Sequence, residues 1–258
     1  MEEPNNLDAN TRQFYLHCLD VLSEGRLPFL VGGAYASAAY TGRVRDTKDL
    51  DFFVRKRDAG RALQLLARAG YQTELPYPHW LGKARLSDTV FLDLIFAFGN
   101  GLGEVDDEWF EHAAPSTLFG RPVQLMPVEE MIWSKAFVME RERFDGADVA
   151  HLILHCAHTM DWDRLVRRFG DNWRVLHAHL VLFGFIYPAQ LSLVPRRVLH
   201  DFNQRVEAEY EQPSPFADVC RGTLLSRIHY LGDVEKGLQD IRLHCMTPEE
   251  IDLWTPRA

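Results

Sequence analysis

Cysteine is scarce in this chain of 258 residues: four are present, at Cys18, Cys156, Cys220 and Cys245, and no two form a CxxC pair. That excludes a zinc knuckle and a dense disulfide framework, and leaves buried free thiols as the simplest reading. Long hydrophobic runs are also missing. The strongest, Leu180 to Tyr187, is interrupted by Gly184 and stopped by Pro188, whereas a membrane-spanning helix needs about 20 apolar residues. No basic, then apolar, leader opens the chain: Met1-Glu2-Glu3-Pro4-Asn5-Asn6 is acidic and polar, which predicts a cytoplasmic protein. An excess of positive charge is absent, the formal net charge being −9. This argues against broad nonspecific binding to nucleic acid, which depends on neutralising phosphates, while leaving room for a local basic groove. Repeats and low-complexity tracts are missing as well. With 47% hydrophobic and 25% charged residues, the composition is that of a globular protein with a sizeable core.

Apolar positions at helical spacing (Phe14, Leu16, Cys18, Leu19, Leu22) predict an opening helix from about Asn10 to Glu24, ended by Gly25. The apolar run Leu27 to Val31 predicts a strand. It enters Gly32-Gly33 and the small-residue run Ala34 to Tyr40, which reads as a helix. From Lys48 to Val54 the residues alternate, with Leu50, Phe52 and Val54 on one face and Asp49 and Asp51 on the other. A helix over Asp58 to Ala69 precedes a loop rich in proline and aromatics, Leu75 to Trp80. Strands are expected again over Thr89 to Phe98 and Arg121 to Met126. Beyond Pro127 the pattern is mostly helical: Val128 to Arg143, Asp145 to Thr159, Trp162 to Phe169, Trp173 to Phe185, Arg196 to Glu209 and Phe216 to Leu231. A boundary near Pro127 therefore divides a mixed α/β part, 1–127, from a helical part, 128–258.

Three features carry chemistry. Gly32-Gly33 at the start of a helix lets a backbone approach closely, and the unpaired N–H groups there can hold a triphosphate. Asp49 and Asp51 on one strand face suit a hard, oxygen-seeking cation such as Mg²⁺. Asp93 stands alone among apolar residues on a separate strand, where an unpartnered carboxylate is costly, so a metal or a basic side chain is required beside it. The bland alternative is a strand-end acid facing solvent.

In order and separation these residues resemble the nucleotidyltransferase superfamily that includes DNA polymerase beta, and among its members the minimal nucleotidyltransferases, AbiEii-type toxins and antibiotic nucleotidyltransferases. The glycine turn, the Asp49-Leu50-Asp51 strand and the later Asp93 carry the resemblance. Gly120-Arg121-Pro122-Val123, Pro127-Val128-Glu129-Glu130 and Ser134-Lys135 extend it to the closing strand and following helix. The resemblance spans about residues 25 to 155. It implies an α/β (α+β) nucleotidyltransferase fold with a short mixed β-sheet flanked by helices, followed by a mostly α-helical C-terminal domain. It also implies transfer of a nucleoside monophosphate, AMP being the expected one, from an NTP to an acceptor hydroxyl, with two Mg²⁺ or Mn²⁺ ions. Asp49 and Asp51 would hold the metals, and Asp93 would be the third ligand or the general base. Gly32, Gly33, Arg45, Lys48 and Lys135 would contact the nucleotide, with Ser37, Asp145 and Asp148 as further candidates. The acceptor would be a small molecule, a protein or a tRNA, placed between the two domains. The alternative from another class is a catalytically silent interaction module, such as a toxin–antitoxin component.

Each further candidate has a plainer reading. Arg55, Lys56 and Arg57 are read as surface charge, Ser37 as packing, and Lys135 as a side chain snorkelling from an amphipathic helix. Asp145 and Asp148 suit the first turn of a helix. His151, His155 and His158 fall on one helical face and could bind a metal, but they lack the glutamate of an HExxH arrangement. Gly99 to Gly103 lacks the spacing of a dinucleotide turn and reads as a flexible loop.

Overall fold

The computed structural model describes residues 7–44, 47, 49–211 and 214–255. The chain divides into two compact units, Met1–Pro127 and Val128–Ala258. Among its described residues, no helix is long and apolar enough to cross a membrane.

The first unit runs α1 (Ala9–Glu24), β1 (Leu30–Val31), α2 (Gly33–Thr41), β2 (Asp49–Phe53), α3 (Lys56–Arg68), β3 (Gln72–Tyr77), β4 (Leu81–Arg85), β5 (Phe91–Ile95), α4 (Asp107–Glu111), β6 (Ala114–Leu118) and β7 (Arg121–Leu125). Asp8 caps α1 by accepting from the backbone N–H groups of Asn10 (2.9 Å) and Thr11 (3.0 Å), which satisfies donors that a helix start leaves unpaired. Its apolar stripe, Phe14, Cys18, Leu19 and Leu22, is buried.

The strands form one mixed sheet in the order β3-β4-β5-β2-β1-β7-β6. β2 pairs antiparallel with β1 and parallel with β5, and β4 pairs antiparallel with β5. Alternation sorts the side chains. Leu50 and Phe52 of β2, Leu92 and Leu94 of β5 and Ala84 of β4 are fully buried on one face. α3 packs there, its Leu63 side chain lying where a Cβ on Gly82 would come within 3.1 Å. The opposite face carries Asp49, Asp51, Asp93 and Lys83.

One local expectation is corrected in this unit. Leu75 to Trp80 is not simply a loop: β3 runs through Tyr77, and a tight turn closed by Trp80 N–H to Tyr77 O (3.0 Å) returns the chain into β4. Tyr77 and Trp80 stack across that turn, with ring centroids 5.6 Å apart. β4 and β6 lie outside the expected strands, and β6 contains Pro115, which weakens a strand pattern.

The second unit contains α5 (Val128–Ala136), α6 (Gly146–Cys156), α7 (Trp162–Phe169), α8 (Trp173–Ile186), α9 (Arg196–Tyr210), β8 (Val219–Cys220), α10 (Leu231–Glu235), β9 (Gln239–Asp240) and α11 (Pro248–Trp254). The expected helix from Val128 to Arg143 stops at Ala136. There the chain folds back, with Glu140 N–H donating to Arg143 O (2.8 Å), and Glu140 accepts from Ser226 Oγ (2.6 Å) and Arg227 N–H (2.9 Å). No helix spans Phe216 to Leu231. Instead Cys220 pairs with Asp240 in a two-stranded parallel sheet, and the Tyr230 ring sits 2.3 Å from where a Cβ of Gly222 would project, which holds the segment in an irregular turn.

α5 and α7 are joined by buried charge. Arg164, 2% exposed, donates from Nη1 to Glu130 Oε1 (2.6 Å) and from Nη2 to Glu129, while Arg168 Nε also donates to Glu130 Oε1 (2.9 Å). Burial raises the Glu130 carboxyl above the usual range against the pull of Arg164 and Arg168. Arg164→Met takes one of its two cationic partners from the buried Glu130, leaving Arg168, and takes the arginine from Glu129; it is expected to cost about 3–5 kcal/mol in urea denaturation at neutral pH. Because losing Arg164 makes the buried Glu130 bind its proton still more readily in the native than in the unfolded state, the deficit relative to wild type should narrow as pH falls toward about 5. A deficit that widens on acidification would contradict this arrangement.

Candidate active site

The site starts where β1 ends. The Leu30↔Phe53 and Val31↔Phe52 pairing is continued by Gly32 N–H donating to Asp51 O at 3.0 Å, so the turn lies directly against β2. No larger residue fits. A Cβ on Gly32 would come 2.2 Å from the Phe53 ring and 2.8 Å from the Met126 sulfur. A Cβ on Gly33 would come 1.6 Å from Asp51 Oδ2, and Gly33 has φ +56°, a left-handed conformation that glycine adopts without strain. Gly33 opens α2, whose start has no side-chain cap. The N–H groups that the first turn of a helix leaves without an intrahelical partner, and the positive end of the helix dipole, therefore lie beside the Asp51 carboxylate, in a place suited to phosphate.

β2 presents Asp49 and Asp51, two residues apart, on the same face. Its parallel register with β5 puts Asp51 opposite Asp93. One oxygen from each of Asp49, Asp51 and Asp93 lies within 4.8 Å of the others. An octahedral Mg²⁺ with bonds of about 2.1 Å separates opposite ligands by about 4.2 Å, so the three carboxylates are near enough for side-chain adjustment to bring them onto one divalent cation. The donor set fits too: it is all carboxylate oxygen, the preference of Mg²⁺ and Mn²⁺.

Two side chains aim these acids. Thr47 Oγ1 donates to Asp49 Oδ1 (3.0 Å) and to the Asp49 carbonyl (3.2 Å). Lys83 of β4, directly opposite Asp93, donates its ammonium to Asp93 Oδ1. Both members of that pair are largely buried, at 16% and 14% exposed, and the Lys83 Nζ lies 4.2 Å from the centre of the Phe91 ring. Burial raises the Asp93 carboxyl above the usual range, the Lys83 hydrogen bond and charge oppose this, and the Asp49 charge adds to it.

Of the residues singled out in the sequence, Gly32, Gly33, Asp49, Asp51 and Asp93 come together. Arg45 and Lys48 lie outside the described residues. Ser37 is buried within α2, where its carbonyl accepts from Thr41 Oγ1 (2.7 Å). Lys135, Asp145 and Asp148 form a cluster in the second unit: Lys135 Nζ donates to Asp145 Oδ2 (3.2 Å) and Asp148 Oδ2 (2.6 Å). Asp145 occupies the N-cap position of α6 without capping it. Burial raises its carboxyl, but the Arg143 hydrogen bonds and the charges of Lys135 and Arg143 outweigh this and hold it below the usual range. His151, His155 and His158 do not gather, since among the described residues the acidic triad is the one group of three or more such side chains close enough to share an ion. Gly99 to Gly103 is a closed turn, with Phe98 N–H donating to Gly103 O at 2.7 Å.

Lys83 and Thr47 were missed as site residues. Lys83 was legible only as the middle of the alternation Leu81-x-Lys83-x-Arg85, and naming its partner requires the β4–β5 register. Thr47 stands two residues before Asp49 with nothing local to reveal its hydrogen bonds.

Residues 20–183 match the family described as Uncharacterised nucleotidyltransferase, and the chain belongs to that family. No curated protein matches it significantly. Among solved structures it is similar to the lincosamide antibiotic adenylyltransferase LnuA bound to lincomycin, with 17% identity, a TM-score of 0.41 and coverage of 57% of this chain and 98% of that one. ANT(2")-Ia in complex with adenylyl-2"-tobramycin shows 17% identity, a TM-score of 0.42 and coverage of 77% and 99%. An antigenic nucleotidyltransferase-like protein from Paracoccidioides brasiliensis shows 17% identity, a TM-score of 0.45 and coverage of 72% and 93%.

Gly33→Ala is expected to displace the Asp51 carboxylate and to weaken Mn²⁺ binding, measured by calorimetry, at least about tenfold. Gly70→Ala serves as its control. It also changes a glycine with positive φ, but nothing lies within 4 Å of the added Cβ, so it should cost about 1–3 kcal/mol of backbone strain and leave Mn²⁺ binding unchanged. Equal Mn²⁺ affinity in both variants would contradict the close approach of Gly33 to Asp51.

Proposed function

We propose that this nucleotidyltransferase transfers a nucleoside monophosphate, AMP from ATP, to an acceptor hydroxyl with release of pyrophosphate and with Mg²⁺ or Mn²⁺ as cofactor. The observation that carries this reading is the triad: three carboxylates converge beside a glycine-opened helix start, on the sheet face opposite the apolar core. Asp49 and Asp51 are the residues that would hold the metal, and Asp93 stands beside them as the third carboxylate. When bound, divalent cations neutralise the triphosphate and polarise its α-phosphate.

The protein's own groups supply the rest. Backbone N–H groups at Gly33 and the start of α2 cradle phosphate oxygens, and Thr47 holds Asp49 in its orientation. Asp93 accepts the proton of the acceptor hydroxyl as that oxygen forms its bond to the α-phosphorus. The bond from the α-phosphorus to the bridging oxygen breaks, and pyrophosphate leaves with the electron pair. Arg45 and Lys48 are assigned to the triphosphate on their place in the sequence between α2 and β2.

The acceptor reading is a small molecule or a protein rather than tRNA, because a net charge of −9 disfavours a polyanionic partner. The experiment is pyrophosphate release with each of ATP, GTP, CTP and UTP, with and without Mg²⁺, over panels of small-molecule and protein acceptors. Asp51→Asn is expected to lower the rate at least about a hundredfold, equivalent to about 2.7 kcal/mol of lost transition-state stabilisation. A wild-type protein no faster than the Asp49→Ala, Asp51→Ala double variant would identify a silent module instead.

A further inference from the structure

Lys83, Asp93 and Asp51 form one row across three neighbouring strands, each directly opposite the next. Asp49 lies one pleat away, opposite Phe91. The carboxylates differ in what they receive. Asp49 takes a hydrogen bond from a neutral hydroxyl, that of Thr47, which brings no positive charge to compete with a cation. Asp93 takes a full positive charge on Oδ1, from an ammonium held against the Phe91 ring. Because the pair is largely buried, solvent screens it weakly. An ammonium and a divalent cation on the same carboxylate repel each other, so Lys83 lowers the affinity of Asp93 for metal.

We propose that Lys83 is a positioning residue that divides the work of the triad: by holding Oδ1 of Asp93 it leaves the divalent cation mainly to Asp49 and Asp51 and keeps the other Asp93 oxygen for the acceptor hydroxyl. This rests on the metal-dependent reading given above. It separates the two roles that the sequence leaves open for Asp93, ligand and proton acceptor, in favour of the second. The strand register does the sorting, since a lysine one strand over reaches Asp93 directly and Asp49 lies a pleat away.

The test is Mn²⁺ titration of the full-length protein without nucleotide, by calorimetry and by the electron paramagnetic resonance signal of free Mn²⁺. Lys83→Met is expected to bind Mn²⁺ at least about fivefold more tightly than wild type, because Asp93 is released to the cation. Lys83→Gln should do the same, and it keeps the measurement possible where the methionine variant folds poorly. Lys83→Arg, which restores the charge, should return wild-type affinity. Asp93→Asn should change Mn²⁺ affinity less than about threefold. In turnover, Lys83→Met should lower kcat and leave the KM for the nucleotide unchanged. Mn²⁺ affinity that is unchanged or weaker in both neutral Lys83 variants, with a loss of tenfold or more in Asp93→Asn, would overturn the assignment and make Asp93 an ordinary third ligand. If the Asp49→Ala, Asp51→Ala variant binds Mn²⁺ as wild type does, the metal reading itself fails and the Lys83 assignment falls with it.

Discussion

The structure of the first unit is governed by one electrostatic constraint: three carboxylates must lie within a few ångströms of one another on a single sheet face. Like charges at that spacing repel, and burial makes the repulsion worse, which is the direction seen at Asp93. Each neighbouring feature answers that constraint. The start of α2 turns its positive end toward Asp51, Lys83 meets Asp93, and Thr47 hydrogen-bonds Asp49. The glycines follow from it too, since only the missing Cβ at Gly33 lets the helix start come this close to the Asp51 carboxylate.

Such a cluster is an expensive way to build a sheet if nothing cationic ever visits it. The opposite face of the same strands shows the ordinary solution, with Leu50, Phe52, Leu92 and Leu94 wholly buried, each contributing about 1.5–3 kcal/mol. The alternation of β2 and β5 thus stabilises the unit with one set of residues and spends part of that stability on the other. This is the pattern expected where chemistry, rather than packing, fixes residue identity. In the second unit, by contrast, charge is used in closed groups: Arg164 and Arg168 on Glu129 and Glu130, and Lys135 on Asp145 and Asp148.

Much of the site could be read without coordinates, and the reason is local periodicity. Asp49 and Asp51 share a face because a strand alternates, Asp93 is conspicuous because its neighbours are apolar, and Gly32-Gly33 punctuates a strand and a helix. What stayed hidden is nonlocal. Parallel pairing of β2 with β5 sets Asp51 against Asp93 and antiparallel pairing of β4 with β5 sets Lys83 against Asp93, and neither register leaves a mark in the order of residues. The same limit explains the misread segment from Phe216 to Leu231. Its helical spacing is overridden by the pairing of Cys220 with Asp240 and by the hydrogen bond from Thr223 Oγ1 to Asp240 Oδ1 (2.7 Å). Likewise Val128 to Arg143 breaks where Glu140 finds partners at Ser226 and Arg227, far away in sequence.

The central claim is that the Asp49, Asp51 and Asp93 cluster is a metal-dependent nucleotide site. Anomalous X-ray diffraction from crystals grown with Mn²⁺ and a non-hydrolysable ATP analogue tests it most directly. The account requires an Mn²⁺ peak within bonding distance of the Asp49 and Asp51 carboxylates, with the triphosphate against the start of α2 at Gly33. A triphosphate and metal bound elsewhere on the chain, with the three carboxylates contacting neither, would contradict it.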